Sequence, residues 1–243
     1  MPLAPRSLYL RDIVTAEACP TIPVMNHNRR TINFAVFLLV LVAGISSACR
    51  SVPKEASVKL PGTNGDSTLP YATFAMGCFW HSEEIFSEIK GVTQALPGYA
   101  GGSEKNPSYE EVSTGSTGYA ESVDVTYDPS QISYAKLVEV FFAEHDPTTP
   151  DAQYPDEGTQ YRSVIFYHTP EQKQQAEAYI AKLSAEHKFA GSIVTQIVPF
   201  TGFYPAEDYH IHYYRSHPDQ SYIVHVTRAE VEKFRKDFPE LVK

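Results

Sequence analysis

Residues 71–91 read YATFAMGCFWHSEEIFSEIKG, and the spacing of the apolar side chains changes at a glycine–cysteine pair within this stretch. The segment Tyr71–Met76 is short and apolar, as expected for a buried strand, and it ends at Gly77. The following segment, Phe79–Ile89, has apolar side chains on one helical face and stops just before the next glycine. The stretch therefore predicts a strand, a sharp glycine turn and a helix that begins directly after Cys78.

Strands and helices continue to alternate toward the C-terminus. Further strands are predicted at Val92–Tyr99, Ser122–Tyr127, Tyr161–Tyr167 and Ile193–Val198. Further helices are predicted after the N-cap Ser133, from the capping box Thr169–Gln172 to about His187, from Pro205, and after the N-cap Thr227. Short strands interleaved with helices indicate one α/β or α+β domain, and the sequence shows no internal repeat.

The composition excludes several classes of protein. Of the 243 residues, 42% are hydrophobic and 20% are charged, which is ordinary for a globular domain and excludes a disordered or fibrous chain. The balance of 20 basic and 29 acidic side chains gives a net charge of −9, which argues against a nucleic-acid partner. The three cysteines, Cys19, Cys49 and Cys78, are too few for a disulfide framework or a cysteine-rich zinc site.

The N-terminal region has the three-part pattern of a secretory signal. From Met25 the chain reads MNHNRR, and an uncharged apolar run at Ile32–Ile45 and small residues lead to Cys49. The run has 14 residues, whereas a membrane-spanning helix, the alternative interpretation, needs roughly 20. We expect a misassigned start at 1–24, a signal peptide at 25–48, a flexible tether at 49–69 and a folded catalytic domain at 70–243.

Cys49 stands where lipoprotein signals carry the cysteine that accepts the lipid. This position favours an extracytoplasmic lipoprotein that is anchored to a membrane through Cys49. Ser46 and Ala48 also suit an ordinary signal peptidase, which would release a soluble secreted protein. We favour the lipoprotein because the cysteine follows the small residues directly.

Cys78 is the strongest candidate for a reactive group in the predicted domain. At a helix N-terminus, free backbone N–H groups and the helix dipole favour an anion, so we expect a lowered thiol pKa. The alternative is an inert buried cysteine, a common fate of this residue type. Phe79 and Trp80 diverge by about 100° on a helix, so at least one of them is expected to line a pocket beside the sulfur.

The residues around Cys78 resemble a known active-site signature. Gly77-Cys78-Phe79-Trp80 is similar to the signature of the A-type peptide methionine sulfoxide reductases. The similarity continues in order through GYAGG at 98–102, NPSY at 106–109, GSTGYAE at 115–121, YDP at 127–129, ISY at 132–134, HDPT at 145–148, GTQYRS at 158–163 and FYPAEDYH at 203–210. Several motifs in the same order are far more specific than one, and they cover nearly all of the predicted domain.

The resemblance implies both a fold and a reaction. The fold is a single two-layer domain in which helices pack on a mixed β-sheet, as a ferredoxin-like plait. The reaction is thiol-dependent reduction of methionine S-sulfoxide, free or in oxidised proteins, by a monomer without a metal or other cofactor. Attack on the sulfoxide would leave Cys78 as a sulfenic acid.

The resemblance also implies a role for each site residue. Cys78 is the nucleophile, and Glu121 is the acid that protonates the sulfoxide oxygen. The implied substrate-binding residues are Phe79 and Trp80 for the methyl group, Tyr109 and Tyr161 for the oxygen, and Asp156 for orientation. Without the resemblance, Glu121 would be interpreted as an ordinary solvated carboxylate.

The chain departs from the family pattern in three places. Tyr119 replaces the histidine of the usual GHAE motif, and residues 149–155 lack the amide-rich stretch that commonly precedes Asp156. Ile223 occupies a position at which many relatives carry a resolving cysteine, and no cysteine follows Cys78. We therefore predict a one-cysteine cycle, in which an external thiol from a thioredoxin-like protein or a small molecule attacks the sulfenic acid.

Two other functions fit parts of the sequence. One is a cysteine hydrolase, in which Cys78 acts with a histidine such as His145. The other is a non-catalytic lipoprotein whose aromatic groove binds a peptide. A histidine cluster at His210, His212 and His217 has spacing that can bind metal on a strand, but the helix predicted there would separate the ligands, so no metal site is expected.

Overall fold

The computed structural model describes residues 68–243. Its strands are β1 (Tyr71–Met76), β2 (Val92–Ala100), β3 (Ala120–Tyr127), β4 (Ala152–Gln153), β5 (Asp156–Glu157), β6 (Ser163–Tyr167), β7 (Gln196–Pro199) and β8 (Phe203–Pro205). Its α-helices are α1 (Phe79–Ser87), α2 (Tyr109–Ser113), α3 (Tyr134–Ala143), α4 (Pro170–Ala185), α5 (Tyr213–Ser216) and α6 (Arg228–Asp237). Single turns of 3₁₀-helix lie at Thr159–Tyr161 and Asp208–His210, and a π-helical turn lies at Ile223–Thr227.

Six strands form one mixed sheet in the order β7-β6-β1-β3-β2-β8. All neighbouring strands are antiparallel except β6 and β7, which are parallel. In the central order β6-β1-β3-β2, α1 connects β1 to β2 and α3 connects β3 to β6. This topology is the ferredoxin-like plait that was predicted, with β7 and β8 added at the two edges.

The helices cover one face of the sheet because alternate side chains of each strand point to that face. On β1 these are Ala72, Phe74 and Met76, none of them exposed to solvent. The ring of Phe74 stacks on Phe86 of α1, with centroids 5.2 Å apart, and on Phe141 of α3 at 5.3 Å. These contacts fix the start of α1 relative to the end of β1.

Local sequence signals predicted several element boundaries well. The bounds of β1 agree with the prediction, and the hydroxyl of Ser133 accepts a hydrogen bond from the Lys136 N–H at the start of α3. Thr169 caps α4 in the same way, accepting from the Gln172 N–H. The capping box is only half formed, because the Gln172 side-chain oxygen accepts from His168 instead.

Three predicted elements differ from the structure. Thr227 is not an N-cap: its backbone is helical, and the π-helical turn continues through it into α6. The helix expected from Pro205 is replaced by β8 and one 3₁₀ turn, because β8 pairs with β2. This pairing needs Gly98, since a Cβ there would lie 2.3 Å from the Tyr204 carbonyl oxygen. The strand predicted at Tyr161–Tyr167 is β6, which begins at Ser163 because Tyr161 belongs to a 3₁₀ turn. The strand predicted at Ile193–Val198 is β7, and it begins only at Gln196, where pairing with β6 starts.

Several sequence-based predictions lie outside the described residues. These are the misassigned start at 1–24, the signal peptide at 25–48, lipidation of Cys49, and the tether as far as residue 67. Between residues 68 and 243, no helix combines the length and the hydropathy needed to cross a bilayer.

Candidate active site

A cavity of about 220 Å³ opens where α1 begins. Its lining residues are Cys78, Phe79, Trp80, Tyr109, Glu121, Asp156, Tyr161, Gln220 and Tyr222. All seven residues that the sequence analysis placed in the catalytic and substrate-binding set are among them. Gln220 and Tyr222 were not predicted.

Backbone geometry at Gly77 places Cys78 at the N-terminus of α1. Gly77 has a φ of +90°, and a Cβ there would lie 2.7 Å from the side chain of Gln153 on β4. Only glycine therefore allows both the left-handed turn and the close approach of the β4–β5 hairpin. That hairpin carries Asp156 to the cavity, while Glu121 reaches it from β3.

Glu121 is a buried carboxyl group bonded to the first turn of α1. Only 2% of Glu121 is exposed, and its Oε2 accepts the Phe79 N–H at 3.0 Å. Burial raises the pKa of Glu121 to about 8, and the nearby charge of Asp156 adds to the rise, against the opposing effect of the Phe79 N–H. Glu121 therefore holds its proton at neutral pH.

Cys78 is a neutral thiol in this structure, contrary to the expectation of a lowered pKa. Burial raises its pKa well above the ordinary value, and the charges of Glu121 and Asp156 raise it further. The Trp80 N–H and the Tyr222 hydroxyl act in the opposite direction but do not overcome burial. The first N–H of α1, which could have favoured a thiolate, is bonded to Glu121.

Trp80 is held in one orientation by three neighbours. Its Nε1–H donates to His210 Nδ1 at 3.1 Å, and its ring stacks on Tyr213 with centroids 3.9 Å apart. Tyr222 meets the same ring edge-on at 5.7 Å. Phe79 is 1% exposed and packs beside the Trp80 ring. Both aromatic residues line the cavity.

Tyr222 binds Asp156 and lines the same cavity as the cysteine. Its hydroxyl donates to Asp156 Oδ2. Burial raises the pKa of Asp156 above its usual range. One signal could have identified Tyr222: it adjoins Ile223, which occupies the resolving-cysteine position of relatives, so its surroundings had to lie near Cys78.

Tyr119, the replacement in the GHAE-like motif, does not line the cavity. Its ring lies against Gly102, where a Cβ would come within 2.3 Å of it, and its hydroxyl donates to the Glu104 carbonyl oxygen. Its own carbonyl oxygen accepts from Arg162 at 3.2 Å. The side chain at position 119 therefore packs away from the cavity lining.

The histidines have other partners. His210 bonds to Trp80, His212 Nδ1 lies 3.0 Å from Glu83, and His217 stacks on Tyr213. No group of three or more histidine, cysteine or acidic side chains is arranged for a metal ion anywhere in residues 68–243.

His145, proposed as a partner of Cys78 in a hydrolase, lies outside the cavity lining. Its two ring nitrogens contact the Phe141 carbonyl oxygen and the Ser163 hydroxyl, at 2.6 and 2.7 Å. Neither nitrogen is therefore free to take a proton from the cysteine.

Comparison with known proteins identifies close relatives of this arrangement. A family model described as peptide methionine sulfoxide reductase matches residues 70–241. The peptide methionine sulfoxide reductase MsrA of Sulfolobus acidocaldarius is 51% identical over 169 residues, which cover 70% of this chain and 95% of the relative. The family match spans every residue that lines the cavity.

Two solved structures share the fold. Mxr1 from Saccharomyces cerevisiae in reduced form superposes with a TM-score of 0.60 and 35% identity, covering 64% of this chain and 90% of that one. Methionine sulfoxide reductase A of Corynebacterium diphtheriae gives a TM-score of 0.58 and 37% identity, covering 63% of this chain and 77% of that one.

Proposed function

The chain belongs to the peptide methionine sulfoxide reductase family, and we propose that Cys78 and Glu121 perform the family's reaction in the cavity at the start of α1. The protein is a peptide-methionine (S)-S-oxide reductase, which reduces methionine sulfoxide to methionine with electrons from thiols. One observation carries the residue assignment: a buried thiol shares the cavity with a carboxyl group that is protonated at neutral pH.

The first half of the reaction transfers one oxygen atom. The Cys78 sulfur attacks the sulfoxide sulfur while Glu121 protonates the sulfoxide oxygen, and the proton of the thiol restores Glu121. The oxygen ends on Cys78 as a sulfenic acid, and methionine leaves as the thioether. Thiol plus sulfoxide thus give sulfenic acid plus thioether, with no net uptake of protons.

The aromatic side chains supply the contacts that distinguish the substrate. Phe79 and the fixed ring of Trp80 offer an apolar surface for the S-methyl group. Tyr109 and Tyr161 bring hydroxyl groups to the same cavity, and burial raises the pKa of both, so both remain hydrogen-bond donors. The two hydroxyls would bind the sulfoxide oxygen beside Glu121.

Recycling depends on an external thiol. Cys78 is the one cysteine in residues 68–243, and Ile223 is 1% exposed where relatives carry a resolving cysteine. A thiol from a thioredoxin-like protein or a small molecule attacks the sulfenic acid, releasing water and forming a mixed disulfide. A second thiol then restores Cys78. We propose that the chain functions as a monomer.

The sequence before the domain supports an extracytoplasmic location. The signal-like segment at 25–48 and the cysteine that follows it point to a lipid on Cys49 and attachment to a membrane. A lipid would occupy the Cys49 sulfur and prevent it from resolving Cys78. Intact-mass analysis of the membrane fraction tests this, because an unmodified residue 49 or an uncleaved signal would contradict it.

A single-turnover experiment tests the chemistry. The reduced full chain is mixed with an excess of a methionine-sulfoxide peptide without any other thiol, and sulfenic acid is trapped and located by mass. We expect about one methionine per chain and a sulfenic acid at Cys78, in keeping with a one-cysteine cycle. Cys78→Ser should form no product, whereas the matched control Cys49→Ser should behave like the unmodified chain. Repeated turnover without a reductant would contradict the proposal.

A further inference from the structure

Glu207 lies outside the cavity lining, but both of its carboxylate oxygens bind residues next to the cavity. Its Oε1 accepts the backbone N–H of Tyr109 at 2.8 Å, and its Oε2 accepts the hydroxyl of Tyr99, also at 2.8 Å. Burial raises the pKa of Glu207, but the Tyr109 N–H, its own N–H and the Tyr99 hydroxyl lower that pKa below its usual range. Glu207 is therefore charged at neutral pH, and hydrogen bonds to a charged group are the stronger kind.

The bond to Tyr109 fixes the start of a short helix. The helix α2 has five residues, and Tyr109 is the first of them. The N–H groups of a first helical turn have no partner within the helix. The capping box satisfies the N–H groups of Ser108 and Glu111, and Glu207 satisfies that of Tyr109. A helix this short depends on such outside contacts to stay in place.

The bond to Tyr99 connects this helix to the strand beside the proton donor. Tyr99 lies on β2, is fully buried, and stands directly opposite Glu121 of β3 in the sheet. Its ring also packs against Phe79 of α1, with centroids 5.9 Å apart. The sheet therefore sets the position of Tyr99, and Glu207 links Tyr109 to that position.

A second contact from the same segment acts on the Tyr109 ring. Glu207 precedes the 3₁₀ turn Asp208–His210, and its carbonyl oxygen accepts the His210 N–H at 2.8 Å. The centroid of the His210 ring lies 4.4 Å from that of the Tyr109 ring, and His210 is 1% exposed. The main chain and the ring of Tyr109 are thus both held by the segment that begins at Glu207.

The placement of the Tyr109 hydroxyl relative to Glu121 matters because both groups meet one atom of the substrate. In the proposed reaction Tyr109 binds the sulfoxide oxygen while Glu121 protonates it, and both side chains line the same cavity. Burial raises the pKa of Tyr109, and the charge of Glu121 raises it further, so the two groups interact. A donor fixed in advance lowers the barrier, and a displaced donor loses much of that effect.

We propose that Glu207 is a positioning residue, which holds the Tyr109 hydroxyl beside Glu121 by tying α2 to β2. The inference rests on the proposed function, since it assigns what places one of the oxygen-binding groups of that reaction. It requires that loss of the Glu207 carboxylate slow sulfoxide reduction through the Tyr109 hydroxyl, and through no other group.

Single-turnover reduction of a methionine-sulfoxide peptide by the full chain, over a range of peptide concentrations, tests this role. Glu207→Ala removes both bonds, and we expect the maximal rate to fall by about tenfold, less than the roughly 10²–10³-fold cost of losing a donor outright. Glu207→Gln should stay within about threefold, because its amide accepts the Tyr109 N–H and donates to the Tyr99 hydroxyl. Asp208→Ala removes an exposed carboxyl group from the adjacent turn, and this matched control should keep the full rate.

A double-mutant cycle separates the positioning of Tyr109 from general support of the fold. Tyr109→Phe lacks the hydroxyl, so adding Glu207→Ala should slow it by less than about twofold further. Tyr99→Phe cuts the same link at its other end and keeps the buried ring, so it tests the link even where Glu207→Ala does not fold. It should slow the unmodified chain by about threefold and Tyr109→Phe by less than about twofold.

Three results would overturn the inference. They are a normal rate in Glu207→Ala and Tyr99→Phe, equal slowing by these substitutions with and without the Tyr109 hydroxyl, and a normal rate in Tyr109→Phe itself. Failure of the proposed function has a different result, because the unmodified chain would then convert no sulfoxide to methionine.

Discussion

Buried carboxyl groups lie at the start of α1 and along its second half, and the charged groups around them differ. In the cavity, Glu121 has a backbone N–H and no cation, and its pKa rises to about 8. Along the second half of α1, Arg215 Nε lies 2.8 Å from Glu84, and Arg235 binds Glu88. The pKa of Glu88 is lowered although burial pushes it upward, because Arg235 favours the charged form. Burial still raises the pKa of Glu84 in spite of Arg215, and it raises that of Glu83 to about 7.

The difference shows how one fold uses the same residue type for two purposes. Burial without a nearby cation keeps Glu121 protonated, which suits a proton donor, while Arg235 keeps Glu88 charged and able to hold another segment. We call the three pairs His212–Glu83, Arg215–Glu84 and Arg235–Glu88 the C-terminal clamp. The clamp fixes the segment that brings Gln220 and Tyr222 to the cavity.

Replacing Glu121, the carboxyl group without a nearby cation, should have the largest effect on the rate of sulfoxide reduction. Glu121→Gln keeps the shape and can still accept the Phe79 N–H, but it has no acidic proton. We expect single-turnover sulfoxide reduction to slow by about 10²–10⁴-fold. Glu157→Gln, on the exposed end of β5, serves as the control and should keep the full rate. A normal rate in Glu121→Gln would exclude this residue from the mechanism.

The same variant should change how stability depends on pH. The pKa of Glu121 is raised in the folded state, so its contribution is complete below the unfolded value near 4.5 and is lost as pH rises through about 8. Glutamine does not titrate. Between pH 5 and pH 8, the unmodified chain should therefore lose stability that Glu121→Gln does not lose. The free energy of unfolding of the variant, relative to that of the unmodified chain, should rise by roughly 2–4 kcal/mol. Denaturant titrations at both pH values measure it, and parallel pH dependences would contradict the raised pKa.

Breaking the clamp should have a moderate effect on stability. Arg215→Met leaves Glu84, which is 4% exposed, without its main cation. Because Arg215 itself is half exposed, we expect the free energy of unfolding to fall by about 1–3 kcal/mol, less than for a fully buried pair. Chemical denaturation tests this against Lys236→Met, an exposed lysine on α6. Equal stability of the two variants would mean that the clamp adds nothing.

A substitution away from both Glu121 and the C-terminal clamp should have the smallest effect. Tyr119→His restores the residue usual in the family but removes the hydroxyl bond to the Glu104 carbonyl oxygen. We expect stability to fall by about 1 kcal/mol and the rate of sulfoxide reduction to stay within about twofold. A loss of rate far beyond the loss of stability would show that position 119 acts on the cavity directly.

The sequence predicted seven of the nine residues that line the cavity, because short motifs identify residues directly. One motif contributed Cys78, Phe79 and Trp80, and three later motifs contributed Tyr109, Glu121 and Tyr161. The short apolar run at Tyr71–Met76 predicted β1, because a strand that is buried on both faces has a continuous apolar sequence. The cap residues Ser133 and Thr169 were recognisable because capping involves neighbours three residues apart.

The features that could not be predicted depend on distant contacts. The strand β8 forms where a helix was expected because β2 pairs with it, and Thr227 lies inside a continuous helical segment that packs on α1. The thiol pKa of Cys78 depends on total burial and on Glu121, which takes the N–H that a sequence argument assigns to the sulfur. Tyr222 belongs to no motif and enters the site through the fold of the C-terminal segment.

The two outer strands of the sheet have a consequence for how this protein meets other polypeptides. At one edge β7 has four residues and ends at Pro199, and at the other β8 has three and ends at Pro205. Short edge strands and proline, which lacks an N–H, hinder further strand addition. An enzyme that repairs damaged chains meets many unpaired backbones that could add to an open sheet and aggregate. The blunted edges therefore hinder an unfolded substrate from adding to the sheet as a further strand.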